Sequence, residues 1–229
     1  MLSSVQDHTT GGPGRTRRPR REDVRRRLLD SALTEFIEHG YGRASLDRIA
    51  LMAGFSKGAI YSNFTGKEDL FLALMDEQVR QRVDKIRELV ARTSGNTQAE
   101  VAGEIGRTLT ALIVDDADWQ LLFLDYVTQA ARDRAAHSTF ADRRRTVRTL
   151  IATAAHDLLG ADHPLWQRFS PDTFAVTLLA LSNGIAIERI ADPDSIPDQL
   201  LGQLLGGPGC GGACNRALST RFMQWSTTR

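Results

Sequence analysis

GFSKGAIYSNF, residues 54–64, holds two glycines, a lysine and a tyrosine among small polar residues. Ser56 is a natural N-cap, so the spacing predicts a short helix over 57–63. A helix so poor in apolar residues adds little to a core, and its neighbours must explain it. Upstream, Ser45 can cap another short helix over 46–53, with Asp47 in the first turn, where negative charge is favoured. Ala50 is small where the two helices would cross. Gly54, four residues on, suits a left-handed turn, and Ile49, Phe55 and Ile60 supply the contacts that fix the crossing.

Two short helices meeting at a glycine turn form a helix-turn-helix. The second is then free of core duty on its outer face and can lie in a DNA major groove, N-terminal residues nearest the base edges. Each odd residue acquires a reading. Gly58 lets the backbone approach a duplex, and Lys57 offers a cation to a phosphate or to guanine acceptors. Tyr61 and Asn63 are placed to donate to phosphates, which fixes register rather than sequence. Ser56, Ala59 and Ser62 complete the surface. Arg43 and Ser45 serve at the preceding helix, and Lys67 with the free amides of the following helix is expected to form an anion site.

Working outward, Val24, Leu28, Leu29, Ala32, Leu33, Phe36 and Ile37 recur at helical spacing, and Gly40 supplies a stop, predicting a first helix over about 22–39. Thr65-Gly66-Lys67-Glu68 has the form of a capping box opening a long helix to about residue 92. At 1.5 Å per residue it would run about 40 Å. After TSGNT (93–97), helices are expected over 98–114, 118–136, 139–159, 171–191 and 196–205. No alternating β-branched run argues for a strand. The fold class is therefore all-α: a three-helix N-terminal helix-turn-helix domain and a C-terminal helical bundle. Residues 1–20 read as a disordered basic arm, 21–67 as the DNA-binding domain, 68–205 as the C-terminal bundle, and 206–229 as a flexible Gly-rich tail.

Charge supports the division. Net charge is +1, but residues 1–64 hold eleven Arg and Lys against seven Asp and Glu, and residues 15–27 hold eight arginines against two acids. That asymmetry points the N-terminal part toward a polyanion. The arm's Arg15, Arg17, Arg18 and Arg20 are equally readable as a solvated tail or as minor-groove contacts. No uninterrupted apolar run reaches the roughly 20 residues of a membrane span, and the N-terminus lacks a secretory signal. A cytoplasmic protein without membrane partners is expected. Cys210 and Cys214 stand alone in the tail, so no disulfide framework exists. His156-Asp157, His137 and His163 give no standard ligand spacing. No metal, cofactor or catalytic constellation is expected.

Residues 21–70, ending YGRASLDRIALMAGFSKGAIYSNFTGKEDLF, closely resemble the DNA-binding domain of the TetR family of bacterial transcriptional regulators. The likeness includes Tyr61-x-x-Phe64 and Lys67-Glu68-x-Leu70; it departs at Thr65-Gly66, where the family more often has proline and serine. Residues 174–205 are similar to the family's C-terminal region. The resemblance implies a homodimeric repressor with a helical ligand-binding half.

Trp119, Phe123 and Tyr126 share a helical face, and Trp166, Phe169, Phe174 and Leu178 face them in the expected packing. They read either as ordinary core or as walls of a pocket for an apolar or aromatic effector. Helix 171–191 is apolar on both sides, so both are buried. Val176, Leu179, Ile187 and Ile190, with Leu201 and Leu204, are expected to meet a second copy. Two recognition helices at fixed spacing would read a palindromic operator. The alternatives are control by a protein partner or by no ligand, or an enzyme bearing a DNA-binding appendage.

Overall fold

The computed structural model describes residues 20–93 and 97–205. The arm before Arg20, the tail with Cys210 and Cys214, and part of the 93–97 linker lie outside the described residues. Among those described, the chain is helical with no strand: α1 (Arg21–Arg43), α2 (Leu46–Ala53), α3 (Lys57–Tyr61), α4 (Lys67–Arg92), α5 (Gln98–Val114), α6 (Ala117–Ala130), α7 (Arg134–Leu159), α8 (Pro171–Ala191) and α9 (Leu200–Leu205). A 3-10 turn, Pro164–Gln167, precedes α8. An N-terminal helix-turn-helix domain is followed by a helical C-terminal bundle.

The first three helices pack around Leu28, Ala32, Phe36, Ile49 and Ile60, all at most 2% exposed together with Ala50. Gly54 adopts the left-handed conformation at φ 73°. Several local expectations are corrected. Neither Ser45 nor Ser56 makes a side-chain cap bond. The Thr65–Glu68 box does not form; Gly66 is the N-cap of α4, and the Asp69 carboxylate instead accepts from the Thr65 N–H at 2.9 Å. A true capping box sits at Thr97 and Glu100. α3 stops at Tyr61 because Ser62 Oγ and Asn63 Nδ2 both donate to the Ala59 carbonyl, replacing helical amides. α6 ends at Ala130 rather than 136, because Asp133 caps α7 by accepting from the Ala135 and Ala136 amides. The last helix begins at Leu200, past Pro193 and Pro197, not at 196.

Gly40 departs from the expected stop. Helical geometry resumes after it to Arg43, but Gly40 itself has φ 72° and ψ 160°, a kink within α1. α4 runs 26 residues, about 39 Å, with residues 70–75 of its first turns buried and Ile86 alone buried further along. α5 and α9 cross with no side chain between them: a Cβ on Gly106 would fall 2.3 Å from the Gly202 nitrogen. α8 alone among described helices has the length and mean hydropathy, 1.4, of a bilayer span. Ala175, Ile185 and Ala186 bury its inner side, and the other side is apolar and bare.

Candidate nucleic-acid interface and effector cavity

α3 divides cleanly. Ile60, with Phe64 just beyond the helix, points inward and is buried; Ser56, Lys57, Gly58, Tyr61 and Ser62 are exposed, and Ala59 and Asn63 are half-buried. A Cβ on Gly58 would meet only Ser56 Oγ, at 3.6 Å. The surface is bare, but its polar groups are not all unengaged. Lys57 Nζ lies 2.8 Å from an Asp47 carboxylate oxygen, which raises its affinity for its proton. The Asn63 amide is turned back on Ala59 and Ser62. Arg43 is exposed and donates to the His39 carbonyl.

Two expected anion contacts are taken up internally. The Ser45 N–H donates to Glu35 at 2.8 Å. Lys67 Nζ donates to the Gly42 carbonyl at 2.9 Å and sits 5.0 Å from the centre of the Tyr41 ring. Burial pushes the Lys67 pKa down. Lys67 therefore holds the end of α1, and Glu68 and Asp69 make the first turn of α4 acidic. The anion site expected there is not built.

Glu35, 1% exposed, was not singled out by its sequence position. It accepts from the Ser45 amide and from Arg48, whose nitrogens approach to 2.6 and 2.8 Å, and its other oxygen lies 3.4 Å from His39 Nδ1. Burial would raise its pKa, but the Arg48 and Ser45 hydrogen bonds and the Arg48 and His39 charges together hold it below the ordinary value. An acid on the apolar stripe of α1 was the available signal, since such a residue requires a partner. Two arginines of the basic segment also have fixed places. Arg25 lies over Phe64 at 4.5 Å and Arg27 over Phe55 at 4.8 Å, clamping α1 onto the motif.

The bundle holds a partly open cavity of about 750 Å³. Its walls come from α4 (Val79, Val83, Ile86), α5 (Ile105, Leu109, Leu112), α6 (Trp119, Gln120, Phe123), α7 (Arg144, Ile151, Leu158) and α8 (Phe174, Leu178, Leu179). Of the seven expected lining residues, Trp119, Phe123, Phe174 and Leu178 line it. Tyr126 does not: it stacks on Phe71 at 4.4 Å and meets Tyr41 at 4.9 Å, toward the head. Trp166 packs on His156 and Phe174 and donates to the Gly160 carbonyl, and Phe169 is exposed. Helical spacing alone does not distinguish the α4 and α5 aliphatics of this wall from an ordinary buried stripe. His163 caps the 3-10 turn by accepting from the Leu165 N–H.

Between cavity and head lies a seam. Tyr126 Oη donates to Glu68 at 3.0 Å, and the Tyr41 N–H, left free of the helix by the Gly40 kink, donates to Asp125. Burial and the Glu68 charge push the Tyr41 hydroxyl up to about 12 and Tyr126 higher still. Arg143 of α7 bridges Asp69 and Asp76 of α4. Of the expected second-copy contacts, Val176, Ile187, Ile190 and Leu204 are exposed. Leu179 instead faces the cavity, and Leu201 is 1% exposed, packed against α5 within its own chain.

Residues 28–74 match the family profile described as bacterial regulatory proteins, tetR family. The chain is 30% identical over 176 residues to the HTH-type transcriptional activator FasR of Mycolicibacterium smegmatis, covering 75% of this chain and 74% of that protein. In fold it is similar to the fatty acid degradation regulator FadR of Bacillus halodurans, with TM-score 0.57, 18% identity and coverage of 83% and 96%. It is likewise similar to FadR of Bacillus subtilis, solved with stearoyl-CoA, with TM-score 0.55, 14% identity and coverage of 80% and 96%.

Proposed function

The chain belongs to the TetR family of DNA-binding transcriptional regulators, and from that premise we propose that it is a homodimeric repressor released from a palindromic operator by a small apolar effector. Residues 21–67 contact the operator; residues 68–205 hold the effector and dimerise. It works in the cytoplasm, where its DNA is.

The observation that carries this reading is the large apolar cavity against α4, the helix that also enters the head. An effector binding there shifts the equilibrium between two separations of the recognition helices by its differential affinity for them. The exposed stripe of Val176, Ala180, Gly184, Ile187 and Ala191 supports dimerisation through α8. Ala180 and Gly184 are small at its middle, and nothing lies within 4 Å of a Cβ at Gly184, so a second α8 can approach closely. The cavity also favours ligand control over control by a protein partner or by none.

The test is recovery of genomic fragments bound by the purified protein, followed by anisotropy on the recovered site. A palindromic site bound by a dimer, and released by an apolar ligand, is expected. Fragments without a shared symmetric sequence would overturn the reading. Transcription from that site decides the sign; the relative FasR is named an activator, and activation here would reverse the sign proposed while leaving the effector mechanism.

A further inference from the structure

The cavity's walls are mostly aliphatic and aromatic, and among the polar side chains on them Arg144 and Gln120 are covered groups whose charge or hydrogen bonding is unmet. Arg144, half-buried on α7, lays its guanidinium over Phe123, 5.5 Å from the ring centre. Its neighbours on α7 find acids: Arg143 pairs with Asp69 and Asp76, Arg145 with Asp142, and Arg148 lies 3.9 Å from Asp172. Among the described residues no carboxylate forms an ion pair with Arg144. Burial, and then the charge of Arg148, lower its affinity for its proton, the direction expected of a cation held against apolar walls without a counter-ion. Gln120 sits three residues before Phe123 on the same face of α6. It is 7% exposed, and its Nε2 has no acceptor. Of the other charged groups on the wall, Arg82 pairs with Asp116 at 2.6 Å, and Arg168 is exposed to solvent rather than covered.

Buried donors left unmet are rare and costly, and a guanidinium matches carboxylate and phosphate oxygens in a bidentate fork. We propose that the effector is an amphipathic acid, its apolar chain among the α4, α5 and α8 side chains and its anionic head against Arg144 and Gln120. The proposal rests on the cavity being the effector site.

Calorimetric titration of the full-length protein with dodecanoate, dodecanol and the coenzyme A thioester of dodecanoate tests it. Wild type is expected to bind an acidic form about tenfold or more tighter than the alcohol. Arg144→Leu should erase that preference while leaving dodecanol binding in place, and Arg144→Lys should retain part of it. Gln120→Glu should weaken the acid and spare the alcohol. Melting curves establish that each variant is folded. Binding of the free acid alone, or of the thioester alone, with loss in Arg144→Leu, supports the proposal and identifies which acid is the source. Equal binding of acid and alcohol, or a preference that survives Arg144→Leu, overturns the anionic head and leaves the effector cavity standing. Binding of none of the three overturns both.

Discussion

The backbone N–H of Tyr41 donates to Oδ2 of Asp125 at 2.9 Å, tying the end of the first helix to α6, 84 residues further along the chain. The bond exists because Gly40 breaks the helical ladder at φ 72°, and a Cβ on Gly40 would crowd the same oxygen at 3.3 Å. Asp125 also accepts from Gln129 at 2.9 Å. It lies two residues beyond Phe123, on the helix that walls the cavity, so under the proposed mechanism a displacement of α6 by ligand would be passed to the head at this point.

Asp125→Ala should therefore cost about 1–2 kcal/mol of stability, lowering the melting temperature by several degrees. Operator affinity without ligand should change little, while release by ligand weakens. An unaltered ligand response, measured by anisotropy, would sink this assignment.

Lys57 and Asp47 form an exposed pair on the face proposed to meet DNA. Lys57→Ala should weaken operator binding and reduce the salt slope by about one counterion per subunit. Asp47→Ala should do the reverse, since it frees the lysine and removes a like charge to phosphate. Titrations at several salt concentrations read both effects, and an Asp47 variant that binds more weakly contradicts the placement.

Gly58→Glu places a carboxylate where the structure has open space. Folding should be kept, with a melting temperature within a few degrees of wild type, and DNA binding lost. Retained affinity would mean that α3 does not enter the groove.

Glu35 links α1 to α2 through Ser45 and Arg48. Its folded-state pKa is lowered, so its stabilisation is fully present above the ordinary value of 4.5 and is lost as pH falls from there toward the folded value. Glu35→Gln should be less stable than wild type near neutrality and should show a shallower loss of stability below pH 4.5. Parallel pH profiles for the two proteins, from chemical denaturation, would contradict this.

Gly184 lies open on the outward stripe of α8. Gly184→Arg should yield monomers in light scattering and reduce operator affinity by at least about tenfold, as expected when one recognition helix acts alone. A variant that remains dimeric would place the interface elsewhere.

The helix-turn-helix was legible because its signals are local. Apolar spacing, Ala50 and a positive-φ glycine within a few residues define α2 and its turn, and both ends of α2 match expectation. What was not legible depends on partners far away in sequence. Lys67 is captured by carbonyls 23 and 25 residues earlier, and Glu35 takes up the Ser45 amide. Tyr126 shows the same limit within one helix. It shares a face with Trp119 and Phe123, as periodicity requires, but α6 passes from the cavity to the head along its length, so one face meets two environments. Breaks at single capping residues, such as Asp133, were also missed, because polar caps resemble any other surface acid.

The aromatic seam of Phe36, Tyr41, Phe71 and Tyr126 sets a rule for anyone building biosensors from this scaffold. Exchanging the reading head for one of different DNA preference, by splicing at the start of α4, would pair foreign rings with Phe71 and Tyr126. Under the proposed mechanism, such a chimera would bind its ligand yet fail to pass the signal to DNA unless both sides of the joint were transplanted together.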